Sequence, residues 1–261
     1  MEFTVVIILF IAGIILIVKG GDYFVDAASW MAEVSGIPRL IIGATIVSFA
    51  TTLPEVLVSV MAASKGKVDM SIGNAIGSVT ANIGLIMAIS IICIPAVIRR
   101  QDYLIKSALM LAAAVLIVIA GSSGEMGFVM SAMLFAVCVI FFWENVSAAR
   151  KSLKEKKEGT SRMGARPDRR EIGINIVKFI IGAIGIVWGA DLLVDNGSEL
   201  ARMAGISERI IGVTIIAIGT SLPELITTIT AILKKQSSLS VGNIIGANII
   251  DLTLILPLCS L

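Results

Sequence analysis

Long apolar runs separated by short polar segments make up most of this sequence. Residues 3–18 and 70–98 contain no charged residue, and the other runs approach the roughly 20 residues that an α-helix needs to cross a bilayer. This pattern predicts an all-α polytopic membrane protein. The predicted helices span residues 3–26, 40–64, 70–98, 104–123, 126–143, 172–195, 210–233 and 239–261.

The composition agrees with a membrane protein and narrows its chemistry. Hydrophobic residues make up 57% of the chain and charged residues 15%, against about 25% charged residues in soluble domains. The net charge of +2 gives no reason to expect a nucleic-acid partner. Histidine is absent, which excludes histidine-based catalysis and the usual nitrogen ligands of zinc. The remaining carboxylate, hydroxyl and carbonyl oxygens suit hard cations.

One hydrophilic segment, residues 150–171, divides the chain. It holds nine Lys or Arg residues against four acidic ones, and short basic loops stay in the cytoplasm. Five predicted helices precede it, so the N-terminus is expected outside a cell membrane that the chain crosses many times. We therefore predict a first membrane repeat at 1–145, a basic cytoplasmic linker at 146–171 and a second membrane repeat at 172–261.

The two halves contain an internal repeat. Residues 17–82 align without a gap with residues 186–251, and 26 of the 66 pairs are identical. Shared apolar character does not explain polar matches such as Asp22 with Asp191. Because an odd number of predicted helices separates equivalent positions, the second unit enters the membrane from the opposite side. Such an inverted repeat places a binding site between its broken helices, near the membrane midplane.

Each repeat carries a Pro-Glu pair inside an apolar run. The motifs read Thr-Thr-Leu-Pro-Glu at 51–55 and Thr-Ser-Leu-Pro-Glu at 220–224. Proline removes a helical hydrogen bond, and a carboxylate at the membrane centre costs roughly 2.5–3.5 kcal/mol. The carbonyls about one turn earlier, near 48–50 and 217–219, lose their partner and can face a cation. A proline and a carboxylate placed inside a membrane helix in both repeats indicate function. The prolines also predict that helices 2 and 7 are broken.

The helix after each Pro-Glu motif carries a second polar element. It reads Gly-Asn-Ala-Ile-Gly-Ser at 73–78 and Gly-Asn-Ile-Ile-Gly-Ala at 242–247. Glycines four residues apart are typical of closely packed helices, so this helix is expected to press against the one that bears the glutamate. Four residues after the last position of each motif come Asn82 and Asp251, on the same helical face.

Symmetry then brings Glu55, Glu224, Asn82 and Asp251 together near the middle of the membrane. Three carboxylates without counter-charge would repel one another strongly, and bound cations would remove that repulsion. Calcium takes six to eight oxygen ligands, which this set can supply together with backbone carbonyls. The same hydroxyl and carbonyl oxygens could also hold sodium.

These motifs resemble the hallmark motifs of the calcium/cation antiporter superfamily, in particular those of prokaryotic sodium/calcium exchangers. The resemblance covers essentially the whole chain. It implies a secondary active transporter rather than an enzyme, with calcium and sodium as transported ions, the lipid bilayer as its surroundings and no organic cofactor. It also implies that helices at 3–26 and 172–195 slide across a rigid core to give alternating access. The ligands it implies are Thr51, Thr52, Glu55, Ser78, Asn82, Thr220, Ser221, Glu224 and Asp251, with carbonyls from Ser48 and Ala217.

The sequence departs from the family pattern in both motifs and in length. Ala50-Thr51-Thr52 replaces the usual Gly-Thr-Ser and keeps the hydroxyl. Ala247 stands where the family has a serine whose hydroxyl contacts sodium, so one sodium position lacks that ligand. Residues 83–143 would map onto 252–312, so the second repeat is expected to lack its last two helices. About eight of ten expected spanning helices are then present, and we expect either a longer chain or a partner that covers the exposed face.

Three alternatives stay open at this point. A proton- or potassium-dependent calcium exchanger would use the same framework, and Asp251 also resembles the potassium-dependent branch. An intramembrane carboxylate protease would need two acids that share a proton, whereas hydroxyls surround these acids. A non-transporting ion-binding protein is kept open by the missing helices.

Overall fold

The computed structural model describes residues 3–64, 66, 68–93, 100–123, 126–158, 168–206, 219 and 221–260. Every regular element within these ranges is helical. We number eight helices in chain order, three of which contain a wider π-helical segment. They are α1 (Phe3–Ser35), α2 (Arg39–Ile42, Gly43–Val47 and Ser48–Ser64), α3 (Val68–Ala81, Asn82–Met87 and Ala88–Cys93), α4 (Arg100–Ser123), α5 (Phe128–Glu158), α6 (Arg169–Met203), α7 (Leu222–Leu233) and α8 (Ser237–Ile250, Asp251–Ile255 and Leu256–Ser260).

The eight helices confirm the predicted all-α membrane architecture. Seven of them are long and apolar enough to cross a membrane, and α7 is a shorter apolar helix. The predicted start of helix 7, residues 210–218, lies outside the described residues.

Several helices are longer than predicted. Helix α1 ends at Ser35 rather than at 26, and α6 runs from Arg169 to Met203 rather than from 172 to 195. Helix α5 continues to Glu158, so the first part of the predicted linker is helical. That stretch is rich in Lys, Glu and Ala, which favour helix even where the chain leaves its apolar run.

Helix α2 differs from the predicted break at its proline. Pro54 lies inside the segment Ser48–Ser64, which stays helical around it. The irregular part of α2 is instead the π-helical segment Gly43–Val47. In the second repeat, Pro223 lies in the first turn of α7, where its missing N–H costs little.

Helices α1 and α6, which occupy equivalent positions in the two repeats, pack against each other in opposite directions. A Cβ at Gly20 would meet the backbone N of Ile186 at 2.8 Å, and one at Gly182 would meet the backbone N of Phe24 at 2.6 Å. Later positions in α1 therefore contact earlier positions in α6, so the two helices are antiparallel. Equivalent helices that point in opposite directions are the direct sign of an inverted repeat.

The turns after these two helices are also equivalent. Gly36 after α1 has a φ of 73°, and Gly205 after α6 has a φ of 80°. Glycine is needed at both positions because other residues rarely adopt this backbone conformation. Near the end of α7, the Lys234 ammonium contacts the carboxylates of Asp22 at 3.2 Å and Asp26 at 2.7 Å, which connects α7 to α1.

Helix α8 lies at the centre of the protein. Its most apolar window is 94% buried, against 17–50% for the other six candidate spans. A Cβ at Gly242 would lie 2.2 Å from the carbonyl O of Leu40, and one at Gly246 would lie 2.4 Å from the Ser48 hydroxyl. The predicted close contact between the glycine motif and the glutamate-bearing helix is confirmed for this pair, α8 and α2.

Helices α4 and α5 cover α8 from one side. Phe141 of α5 packs in a buried cluster with Ile244 and Ile245 of α8. A buried lysine of α4, Lys106, joins the two covering helices, because its ammonium pairs with Glu144 and donates to Asn145 Oδ1 at 2.8 Å. The carboxylate and amide offset the cost of burying this charge.

Candidate functional site

Helix α2 presents one buried polar face. Thr51, Thr52 and Glu55 are at most 3% exposed, whereas Leu53 on the opposite face is 42% exposed. Residue 55 lies on one face with residues 51 and 52 because it follows them by four and three positions along the helix. Pro54 has no N–H to give to the carbonyl of residue 50, so this turn also offers a free carbonyl oxygen.

The equivalent residues of the second repeat lie at the start of α7. Ser221 precedes the helix as its N-cap residue, and Glu224 lies in its first turn. Both are buried. The N–H groups at a helix N-terminus favour a negative charge, so the backbone stabilises the Glu224 carboxylate at this position.

The two motifs meet at the centre of the protein. Thr52 Oγ1 donates a hydrogen bond of 3.1 Å to Glu224 Oε1, although 172 residues separate them. The Glu55 carboxyl group lies close enough to the Glu224 and Asp251 carboxyl groups to interact with both electrostatically. The sequence-based prediction that the repeats bring their glutamates together agrees with this geometry.

Asn82 and Asp251 occupy equivalent positions on α3 and α8. Each is the first residue of a π-helical segment, and both are at most 2% exposed. The Asp251 carboxylate interacts electrostatically with both glutamates. π-Helical turns are frequent at functional sites, and here one begins at the same point in both repeats.

The carboxylates do not form a compact cage by themselves. Among the residues that the structure describes, no group of three or more Cys, Asp or Glu side chains is arranged closely enough to hold one metal ion. Any ion in this centre would therefore need hydroxyl, amide and carbonyl oxygens in addition to one or two carboxylates. Such mixed oxygen coordination is usual for calcium.

Several polar atoms in this centre are buried without a hydrogen-bond partner. Most buried polar atoms in proteins have a partner, so a group of exceptions calls for an explanation. Nearly all of these atoms are oxygens with free lone pairs, which fits a cation rather than an anion. They are Glu55 Oε2, Ser78 Oγ, Asn82 Oδ1, Ser221 Oγ, Glu224 Oε2 and both carboxylate oxygens of Asp251.

Most of the sequence-predicted ligands can be located. Thr51, Thr52, Glu55 and Ser48 lie on α2, with the Ser48 carbonyl accepting a hydrogen bond of 3.3 Å from Thr51 Oγ1. Ser78 and Asn82 lie on α3, Ser221 and Glu224 at the start of α7, and Asp251 on α8. Two predicted ligands, Thr220 and Ala217, lie outside the described residues.

The sequence did not single out Asn243 as part of the centre. This residue of α8 is completely buried, and its Oδ1 accepts a hydrogen bond of 3.1 Å from Thr51 Oγ1. The available signal was its match with Asn74 in the repeat. That match does not indicate the contact, because Asn74 donates instead to Ser59 Oγ at 2.9 Å.

Comparison with known proteins places these features in context. A model of the family described as "Sodium/calcium exchanger protein" matches residues 5–144 and 174–261. The chain is 29% identical over 296 residues to the sodium/calcium exchanger MaX1 of Methanosarcina acetivorans, covering 99% of this chain and 83% of that protein. It is 35% identical over 258 residues to the inner membrane protein YrbG of Escherichia coli, covering 97% and 78%.

The fold also matches a solved structure. A structure of the sodium-calcium exchanger NCX_Mj superimposes with a TM-score of 0.83 at 30% sequence identity, covering 98% of this chain and 82% of that one.

Proposed function

The chain belongs to the sodium/calcium exchanger protein family, and from this premise we propose that it exchanges sodium for calcium by alternating access at the buried centre between its two repeats. Membership makes it a multi-span membrane protein and a cation/calcium antiporter. The choice of sodium as the counter-ion, the ligands and the mechanism are proposals.

The observation that carries the proposal is the group of unpartnered oxygens where the two Pro-Glu motifs meet. Both glutamates, the Thr52 hydroxyl and the Asp251 carboxylate lie at the contact of the repeats. We assign cation binding to this centre. The assigned ligands are Thr51, Thr52, Glu55, Ser78, Asn82, Thr220, Ser221, Glu224 and Asp251, together with the carbonyls of Ser48 and Ala217.

The charge of this centre supports exchange rather than simple passage. Buried carboxylates without a cation are strongly disfavoured in a membrane interior. The protein would therefore switch slowly between its outward-open and inward-open states while the centre is empty. It would switch readily once calcium or sodium neutralises the carboxylates. Because both ions compensate the same carboxylates, they bind in turn, and transport of one is coupled to transport of the other.

The packing of α1 and α6 supports the moving part of this mechanism. Their contact is built on glycines at 13, 20, 182 and 189, where the two backbones touch. A helix contact without large side chains resists sliding less than one in which ridges of side chains fit into grooves. We assign the movement between the two states to this helix pair, relative to α2, α3, α7 and α8.

We place the protein in the cell membrane, with its N-terminus outside and the basic segment in the cytoplasm. The support is the excess of Lys and Arg in residues 150–171. Labelling of a single cysteine introduced at either location, with a reagent that does not cross membranes, tests this orientation.

The proposal is tested by radiocalcium uptake into proteoliposomes loaded with sodium. We expect uptake driven by the sodium gradient, and we expect Glu55→Gln and Glu224→Gln each to reduce it at least about a hundredfold, since each removes a buried ligand charge. Glu33→Gln is the matched control, because Glu33 pairs with Arg39 at the protein surface. Uptake that survives both site variants overturns the proposal.

The same assay separates the alternatives. Loading the vesicles with potassium or imposing a pH gradient, in place of sodium, identifies a potassium- or proton-dependent exchanger. The relatives named as exchangers leave no support for the protease alternative, because they are transporters and not enzymes.

A further inference from the structure

The Thr51 hydroxyl has more acceptors around it than it has hydrogens. Its Oγ1 lies 3.1 Å from Asn243 Oδ1 and 3.3 Å from the carbonyl O of Ser48. The Glu224 carboxylate, which accepts from the adjacent Thr52, is a third acceptor close by. A hydroxyl has one hydrogen to donate and two lone pairs. The direction of that hydrogen therefore decides what the lone pairs of Thr51 face.

A cation in the centre constrains this choice. In the proposed site the Ser48 carbonyl and the Glu224 carboxylate both direct lone pairs at the cation, as Thr51 must also do to act as a ligand. A Thr51 hydrogen donated to either group would lie beside the cation and oppose its binding. Of the three acceptors, only Asn243 is outside the proposed ligand set, so only Asn243 can take this hydrogen while the ion is bound.

We propose that Asn243 is a positioning residue for cation binding, which holds the Thr51 hydroxyl with its hydrogen turned away from the ion. The inference rests on the proposed function, because it needs a cation beside Thr51. It adds a residue that touches no ion and acts through one ligand of the other repeat.

The Asn243 amide must itself be oriented for this role. If the amide were turned over, its Nδ2 would face Thr51, and the Thr51 hydrogen would turn towards the remaining acceptors at the ion. In the first repeat, the equivalent Asn74 donates through Nδ2 to Ser59 Oγ at 2.9 Å. The residue equivalent to Ser59 is Thr228, which is buried and has an unpartnered Oγ1, while Asn243 has an unpartnered Nδ2. By this equivalence we assign Thr228 as the acceptor that fixes the amide with Oδ1 towards Thr51, although the two side chains are not hydrogen-bonded in this structure.

The test is a double-mutant cycle read by equilibrium binding of radiocalcium to the purified full chain. Asn243→Leu keeps the branched shape, in a larger side chain, and removes the acceptor, and we expect about tenfold weaker calcium binding. In a Thr51→Val background, where there is no hydrogen to direct, the same change is expected to alter affinity less than about twofold. If Asn243→Leu weakens calcium binding by the same factor with and without Thr51→Val, the inference is overturned.

Two further variants keep the test decisive. Thr228→Val preserves shape but cannot accept from the amide, so we expect about threefold weaker binding that also disappears in the Thr51→Val background. Asn248→Leu is the matched control, since Asn248 is an equally buried asparagine of α8 whose Nδ2 faces Met110. Equal losses from Asn248→Leu and Asn243→Leu would indicate general damage to α8 and overturn the inference.

The outcomes also separate this inference from the proposed function. Absence of calcium binding by the unmodified protein overturns both. Normal binding by the unmodified protein with an additive cycle overturns the positioning role alone. If Asn243→Leu does not fold, as judged by thermal unfolding in detergent, Asn243→Ala and Thr228→Val provide the same cycle.

Discussion

The Pro-Glu motif is almost the same in the two repeats, yet its backbone differs between them. In the first repeat, Pro54 lies within a helical segment that begins at Ser48 and ends at Ser64. In the second, Pro223 lies at the first turn of a helix that begins at Leu222. Equivalent sequences therefore do not have equivalent conformations in this structure.

The difference shows what an inverted repeat can do that a symmetric dimer cannot. Glu55 projects from the middle of a helix, whereas Glu224 lies at a helix N-terminus, where backbone N–H groups favour its charge. An inverted repeat can therefore hold nearly identical motifs in different backbone environments around one centre.

The described contacts of the two glycine motifs also differ. At Gly242 a Cβ would come within 2.2 Å of a carbonyl oxygen of α2, while at Gly73 no described residue lies within 4 Å of that position. By the repeat, the residues that would meet Gly73 as Leu40 and Ala44 meet Gly242 are 209 and 213, which lie outside the described residues. The tight contact is therefore established for one repeat only.

The largest predicted effect breaks this contact. Gly242→Ala forces α8 away from the backbone of α2, and we expect it to lower the free energy of unfolding by about 3 kcal/mol or more, the upper range for overpacking. Gly73→Ala is expected to change it by less than about 1 kcal/mol, because alanine also favours helix. Thermal and denaturant unfolding of the purified variants in one detergent measures both.

Two results would change this comparison. Equal, large losses for both alanine variants would mean that the first repeat makes the same tight contact, so that the glycine faces do not differ. Two small effects would mean that α8 and α2 can separate at no cost, against the close approach at Gly242. Gly127→Ala is the control, because no described residue lies within 4 Å of a Cβ at this position. Gly66→Ala does not serve, because Gly66 has a φ of 72° that alanine rarely adopts.

The sequence predicted the repeat, the eight helices and the meeting of the two glutamates. These features follow from hydrophobic periodicity and from polar residues that recur at a fixed offset, both of which are local or countable properties. The length of α5 was underestimated because charged residues that favour helix extend it beyond its apolar run, and α1 continues nine residues past the predicted end at 26 through a mostly uncharged stretch.

The sequence could not predict how the repeats differ. Nothing local to Asn82 or Asp251 indicates that a π-helical turn begins there, since such turns depend on what the helix packs against. Asn74 and Asn243 are the same residue in the same motif, yet one contacts Ser59 and the other Thr51. Only the tertiary structure distinguishes them.

A second prediction sharpens the comparison of the two prolines. Pro54→Ala supplies the N–H that a helix interior lacks, and we expect it to raise the free energy of unfolding by about 2 kcal/mol, less than the roughly 3 kcal/mol for soluble helices because membrane helices partly compensate a proline. Pro223→Ala is expected to change it by less than about 0.5 kcal/mol, since a first-turn N–H has no helical partner.

The same pair of variants also reports on function. Pro54→Ala occupies the carbonyl of residue 50, so we expect slower sodium-driven calcium uptake from a more stable protein. Stabilisation of equal size by both alanine variants would show that the two motifs have the same backbone in solution. Unfolding curves and uptake by the same preparations measure the two effects together.

The smallest predicted effect concerns Ser78, whose hydroxyl is the one assigned hydroxyl ligand without an equivalent in the other repeat. Ser78 has a buried hydroxyl with no partner, while its equivalent Ala247 offers none. Ala247→Ser adds a hard oxygen ligand, and we expect sodium to displace radiocalcium at about fivefold lower concentration, which corresponds to about 1 kcal/mol. Ser78→Ala is expected to raise that concentration by a similar factor. Ala247→Cys is the control, since a thiol adds at least as much volume as a hydroxyl but binds sodium poorly. Equal shifts from Ala247→Ser and Ala247→Cys would trace the effect to volume and remove the difference between the repeats as a determinant of ion choice.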